Sequence, residues 1–306
     1  MKLSIVATLY QSGEYISEFY QRASKVAQQL VGDEYEIILV NDGSPDNSLD
    51  IAVQLTKTDA HVVVIDLSRN FGHHKAMMTG LEHAQGQRIF LIDSDLEEEP
   101  EWLLYFNEHL NKQECDVIYG VQNKRKGRWF ERKSGKFYYW ILDLLLYVDH
   151  PKNITTARLM NRRYVDALLL HKEQEIIISG LWIITGFDQQ AYTVIKKSTS
   201  HTTYTTVQKL SHLMNAITSF SSKPLISIFI IGIIIFIGSL VSASVLVVNR
   251  LLFSVPLEGW TSIMVSVWFL GGVTISFIGI IGIYLSKIFI ETKHRPYVII
   301  KDIYKK

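Results

Sequence analysis

RIFLIDSD, residues 88–95, is the stretch that decides the fold. Ile89–Ile92 form an apolar run of strand length, opened by Arg88, and Asp93, Ser94 and Asp95 end it abruptly. A strand that is apolar on both faces belongs in a parallel sheet covered by helices. Such sheets collect their ligands at the carboxyl ends of the strands. The same alternation repeats outward from this point. Leu3–Leu9, Tyr35–Val40, His61–Leu67 and Asp116–Tyr119 read as further strands. Between them, Ser17–Leu30 places Phe19, Ala23, Val26 and Leu30 on one helical face, and Asp46–Leu55, Lys75–Ala84 and Pro100–Leu110 read as helices.

Polar residues gather just after the strands: Asn41-Asp42-Gly43-Ser44, Ser68-Arg69-Asn70-Phe71-Gly72 and Asp93-Ser94-Asp95. Each alone is an ordinary turn sequence; their shared place at one sheet edge points to a single crevice. Side chains repeat with period two, so Asp93 and Asp95 can face one point. Two such carboxylates call for a hard divalent cation, Mg²⁺ or Mn²⁺, which completes its shell with water and phosphate oxygens. Neither G-x-G-x-x-G nor G-x-x-x-x-G-K-[ST] occurs, which disfavours dinucleotide oxidoreductases and P-loop NTPases. Past the pair, Glu98, Glu99 and Glu101 read as a solvated acidic first helical turn, and His73 and His74 read as polar surface beside the crevice.

The rest of the composition narrows the class. The 306 residues are 48% hydrophobic and 20% charged, which excludes a disordered chain. Thirty-one Lys/Arg against thirty Asp/Glu leave a net charge of +1, with no support for a nucleic-acid polyelectrolyte. The single cysteine, Cys115, excludes an intrachain disulfide and a thiolate zinc cluster. Residues 225–248 and 259–286 carry no charge, and each exceeds the ~20 residues that span a bilayer. With a short connection they predict a transmembrane hairpin (about 225–248 and 260–286). Basic residues flank it before (Lys196, Lys197, Lys209, Lys223) and after (Lys287, Lys293, Arg295, Lys301, Lys305, Lys306), which puts both termini and the large amino-terminal domain in the cytoplasm. The expected organisation is a catalytic domain over 1–205, an interfacial amphipathic region over 206–224, the hairpin over 225–286 and a basic tail over 287–306. Within 259–286, Gly272 and Ser276 have the small-xxx-small spacing of a packing face. Residues 124–136, KRKGRWFERKSGK, hold seven basic side chains and one acid beside Trp129 and Phe130, a pattern suited to anionic headgroups of membrane lipids.

These stretches together resemble the polyprenyl-phosphate glycosyltransferases of glycosyltransferase family 2, the group of bactoprenol glucosyltransferases and dolichol-phosphate mannosyltransferases. The resemblance rests on NDGS at 41–44, RNFGHHKA at 69–76, DSDLEEEPE at 93–101, RKSGKFYY at 132–139, ARLMNRRYVDAL at 157–168, TSFSSKPL at 218–225 and IETKHRPYVIIK at 290–301. It implies a GT-A fold, a Rossmann-like α/β domain with a mostly parallel sheet. It implies that Tyr10, Asp42, Arg69, Asn70 and Asp93 bind the nucleotide sugar, and that Asp93 and Asp95 hold the metal. It further implies that Arg128, Arg132, Lys133 and Ser134 approach the acceptor phosphate, with Asp95, Arg132 and Arg158 catalytic. A homo-oligomer, a tetramer in related proteins, is implied in the same way. The sequence departs from the family pattern at Thr8-Leu9-Tyr10-Gln11-Ser12, where Pro-x-Tyr-Asn-Glu is usual, at His73-His74, where Lys-Glu is common, and at Thr156, where Asp is usual.

The expected reaction moves one sugar from a UDP- or dTDP-linked donor to undecaprenyl or a similar polyprenyl phosphate, with inversion, at the inner (plasma) membrane. A flippase would take the product onward to a surface polysaccharide or lipid. A phosphate monoester has a second pKa near ~6 and is already a nucleophile at neutral pH, so the missing Asp at 156 is tolerable. Two alternatives stand beside this: extension of an already assembled lipid-linked saccharide, and a non-catalytic scaffold for a flippase or polymerase.

Overall fold

A computed structural model describes residues 1–122, 153–197, 221, 223–253 and 259–306. The chain divides into two compact units. One comprises 1–134, 150–204 and 295–306, the other 135–149 and 205–294.

The first unit is built on an eight-stranded mixed sheet, GT-A-like in its α/β layering. Its strands are β1 (Leu3–Leu9), β2 (Tyr35–Asn41), β3 (Val62–Leu67), β4 (Arg88–Leu91), β5 (Val117–Gln122), β6 (Ile154–Asn161), β7 (Gln189–Val194) and β8 (Ile300–Tyr304), in the order β7-β5-β6-β4-β1-β2-β3-β8. The centre, β4-β1-β2-β3, is parallel, as the apolar runs predict. Every residue of β1 and β2 is buried, which is why neither strand alternates polar with apolar residues. Helices α1 (Ile16–Val31), α2 (Ser48–Thr58), α3 (His73–His83) and α4 (Trp102–Gln113) follow the first four strands. Ile16, Phe19, Ala23, Val26 and Ala27 form the buried stripe of α1. In the same core cluster, Phe90 of β4 meets Phe106 of α4 edge to face.

The sheet is mostly parallel, as expected, and the flanks add two reversed strands. β6 runs antiparallel to both β4 and β5, and β8 runs antiparallel to β3. The last residues, read as a basic tail, form β8, where Lys301 reaches Asp66 at 3.3 Å. Two short helices, α5 (Arg162–Leu168) and α6 (Ile178–Ile184), follow β6. Gly120 on β5 leaves room for the Thr155 side chain of β6, which a Cβ would strike.

The second unit contains helices α7 (Lys223–Phe253) and α8 (Trp260–Thr292). Within α8, Ser266–Thr292 is long and apolar enough to cross a membrane and is unburied throughout. Its 27 residues rise about 40 Å, against a hydrocarbon core of about 30 Å. The apolar stretch of α7 found by the same measure is shorter, Lys223–Ser239. The Ser276 hydroxyl donates to the Gly272 carbonyl of its own helix at 2.9 Å, so that serine is satisfied without a neighbour.

Candidate functional site

The loops after β1 to β4 brace one another through backbone amides. The Asp42 carboxylate is buried and accepts from the N–H groups of Phe71 at 2.7 Å and Gly72 at 3.0 Å. It thereby ties the loop after β2 to the loop after β3. Gly43 takes φ +60° beside the Arg69–Asn70 backbone, where a Cβ would collide. Ser44 Oγ accepts from Gln11 N–H at 2.7 Å, and Ser94 Oγ donates to the Thr8 carbonyl at 2.8 Å. Tyr10, Arg69 and Asn70 are exposed on this rim. Arg69 lies over the Phe71 ring at 4.0 Å and donates to the Asn70 carbonyl.

Asp93 lies at the centre. His73, the first residue of α3, places Nε2 3.2 Å from Asp93 Oδ1 and Nδ1 3.0 Å from Thr8 Oγ1. Two positions where the sequence leaves the family pattern, 8 and 73, therefore meet in space. Burial works against the charged forms of both partners. The Asp93 carboxylate nevertheless raises the pKa of His73, while His73, the Thr156 side chain and Lys196 hold Asp93 below the usual carboxylate range. Asp93 Oδ1 is buried yet accepts no hydrogen bond. Asp95 is half-buried and accepts from Glu97 N–H at 3.0 Å. Burial and the neighbouring Asp93 push its pKa up, against that amide and Lys196.

Behind the pair lies a buried ionic group that overturns the solvated reading of Glu98. Its side chain is fully buried and accepts from Thr156 N–H at 3.0 Å and Ala157 N–H at 2.7 Å. Burial first and Asp93 second push Glu98 up to about 7, against Lys196 and the two amides. Lys196 sits 3.0 Å from Glu97 and 3.5 Å from Glu98. The acids raise its pKa in spite of burial. Glu99 pairs with Lys197 at 2.6 Å, and Glu101 pairs with Arg22. Two of the four lysines counted before the first apolar segment are thus engaged within the domain. Arg158, on β6, is buried with its guanidinium over the Trp182 ring, and burial pulls its pKa down to about 9. It lines a cavity of about 330 Å³ together with Tyr119, Trp182, Phe187 and Gln189.

The structure therefore brings together Asp42, Arg69, Asn70, Asp93 and Asp95 at one sheet edge, with Tyr10 on the rim. Arg158 is placed deeper, on the sheet beside β5. Arg128, Arg132, Lys133 and Ser134 lie outside the described residues, as do residues 206–220 and 222 of the interfacial amphipathic region. Sequence reasoning missed Glu98 and Lys196 as members of the site. Ninety-eight residues separate them, and no local pattern pairs them. It passed over Thr8 and His73 too, although their departure from the family pattern was the available signal.

The description "Glycosyl transferase family 2" matches residues 4–169. The chain belongs to this family. A Mycobacterium tuberculosis protein carrying a glycosyltransferase name is 50% identical over 99% of this chain and 89% of its own length. The "Bactoprenol glucosyl transferase" of Shigella phage SfV is 31% identical over 99% of both chains. Among solved structures, S. aureus TarS (residues 1–349, with UDP-GlcNAc) is similar at 17% identity over 72% of this chain and 66% of that chain, TM-score 0.49.

As a family 2 glycosyltransferase the chain needs to manage the charge of a nucleotide leaving group. Among the described residues no group of three or more His, Cys, Asp or Glu side chains forms a metal cage. The donors present nevertheless fit a divalent ion of the kind that relies on substrate and water for most of its shell. Asp93, Asp95, Glu97 and Glu98 all act on one lysine, Lys196, with His73 beside Asp93, so the acids outnumber the cations that face them. Asp93 Oδ1, without a hydrogen bond, is the orphaned oxygen such an ion would take.

Proposed function

We propose that this chain transfers a single sugar from a nucleotide-sugar donor to a polyprenyl phosphate at the cytoplasmic membrane face, with inversion at the anomeric carbon. One conjunction carries the reading. An acidic pair with an unsatisfied oxygen lies at the strand-end crevice, on a chain that also holds a 27-residue apolar helix. Relatives named bactoprenol glucosyl transferase, similar over nearly the full length, supply the lipid class.

The loop brace at Asp42, with Arg69, Asn70 and Tyr10, borders the donor. The acceptor phosphate, dianionic near neutral pH because its second pKa is about 6, attacks the anomeric carbon without a protein base. A phosphate-oxygen-to-carbon bond forms as the bond to the nucleoside diphosphate breaks. Thr156 then needs no basic side chain; it supports Asp93 instead. Mg²⁺ or Mn²⁺ held by Asp93 and Asp95 would supply the positive charge that eases departure of the diphosphate. Arg158 and the basic stretch with Arg128, Arg132, Lys133 and Ser134 are assigned to the acceptor side on sequence grounds.

The connectivity supports a two-crossing anchor. β8 pairs with β3 in the sheet that β1 begins, so a chain that entered the bilayer through α7 and came back through α8 would bring its last strand to the domain's side.

Full-length protein in detergent, incubated with undecaprenyl phosphate and a panel of UDP- and dTDP-sugars, tests the reading through the mass of the lipid product. The expected product gains one sugar in the anomeric configuration opposite to the donor's. Retention of configuration would contradict the single displacement. Transfer only to a preassembled lipid-linked saccharide would replace the acceptor.

A further inference from the structure

We propose that His73 is a metal ligand: its Nε2 and Asp93 Oδ1 together form one edge of the coordination shell, and this mixed nitrogen–oxygen edge favours a divalent transition ion over Mg²⁺. The inference rests on the transferase reading for the use of a divalent ion, and adds the ligand and the metal class.

Three observations converge. First, the two atoms are 3.2 Å apart, yet Asp93 Oδ1 accepts no hydrogen bond, so the ring does not aim a proton at that oxygen. Adjacent ligands of an octahedral ion with bonds near ~2.1 Å lie about 3 Å apart, so the observed separation suits a shared ion. Second, the other ring nitrogen is already engaged, with Nδ1 3.0 Å from Thr8 Oγ1. A metal-bound histidine characteristically donates its second N–H to such an acceptor, which fixes the tautomer and leaves the first nitrogen's lone pair for the metal. Third, His73 is the first residue of α3, directly after Gly72 at φ +103°, and the Asp42 carboxylate holds the amides of Phe71 and Gly72. The ring therefore projects from a braced position. His74, by contrast, turns Nδ1 to the Ile176 carbonyl at 3.0 Å. An imidazole in the shell draws selectivity away from Mg²⁺, which prefers oxygen alone, and toward first-row transition ions.

Mn²⁺ is the probe, because its unpaired electrons report directly bonded nitrogen. Full-length wild-type protein loaded with Mn²⁺ alone should show ¹⁴N modulation in pulsed electron paramagnetic resonance. Growth on ¹⁵N-histidine should convert it to a ¹⁵N pattern. His73→Gln should lose the signal and bind Mn²⁺ at least ~10-fold more weakly, with a smaller loss for Mg²⁺, while His74→Gln keeps the signal. Mn²⁺ bound without nitrogen coupling, a signal surviving in His73→Gln, or no Mn²⁺ bound to wild type would each overturn the assignment. The wild-type spectrum decides without any variant having to fold. The lipid-product assay on the same sample separates the two readings. Sugar transfer without nitrogen coupling ends the ligand assignment alone. Nitrogen coupling without transfer to any lipid ends the proposed function and leaves the ligand in place.

Discussion

The two sides of β4 satisfy their polar groups in different ways. Toward β1, β2 and β3, short loops hold carboxylates and hydroxyls through neighbouring backbone amides, as Asp42 does with Phe71 and Gly72. Toward β6, β5 and β7, Glu98 and Arg158 are buried, and Lys196 comes from beyond β7 to face the acids. An amide brace needs no counter-charge and tolerates water. Glu98 also accepts from two amides, but it is buried beside Asp93, and two acids so close in a low-dielectric interior call for a cation as well. One side of the site is thus set by backbone geometry and the other by charge balance.

The sharpest way to break that comparison is Lys196→Met. Glu97 and Glu98 then lose their shared cation, and the stability loss should be about 3–5 kcal/mol, read from chemical denaturation. The loss should be larger at pH 8 than at pH 5.5, where Glu98 can take up a proton. A variant as stable as wild type would show that the two sides do not differ in kind. Next in size is Asp95→Asn. Transfer should fall by about 10²–10³-fold, the scale of removing one electrostatic contributor to a leaving-group site. The folded state should persist, since burial and Asp93 already disfavour the Asp95 charge.

Glu98→Gln isolates the charge-balanced side. Glu98 has a folded pKa near 7 against an ordinary 4.5, so between those values the folded chain holds more protons than the unfolded one. Its contribution to stability is therefore present at low pH and falls as pH rises through that window, by on the order of 1–3 kcal/mol. The glutamine variant should flatten that slope in a series of denaturation curves from pH 4.5 to 8. An unchanged slope would move the titration to another group.

Much of the first side was legible because its information is local. Apolar runs gave β1 to β4 within a residue or two, and Asp42, Arg69, Asn70, Asp93 and Asp95 stand directly after strands. The second side was not, for a physical reason. Glu98 belongs to an acidic run that resembles a solvated helix start, and what buries it is β6, 58 residues later. Lys196 read as one of several lysines flanking the predicted hairpin until the fold brought it to Glu97. β8 was hidden in the same way: a strand that completes a sheet edge from the far end of the chain carries no signal naming its partner. His73 lay between these cases, local to a crevice loop but defined by its contacts to Thr8 and Asp93.

The smallest expected effect belongs to the amide-braced side and sets the lower bound of the contrast. Asp46 accepts from Ser44 Oγ at 2.6 Å, Ser48 N–H at 3.1 Å and Gly13 N–H at 3.2 Å, linking the loops after β1 and β2. Burial opposes its charge, but Ser44, Ser48 and these amides hold its pKa down at about 2. With the folded pKa below the ordinary 3.8, the contribution is present above that value and lost as pH falls through 2. The side chain is exposed and screened, so Asp46→Ala should cost under about 1 kcal/mol near pH 7, and the difference from wild type should shrink below pH 4. A loss as large as that of Lys196→Met would mean that the braced loops also depend on charge. A small loss that vanishes in acid is what a hydrogen-bonded brace predicts, because protonating the carboxylate removes the same bonds that the alanine removes.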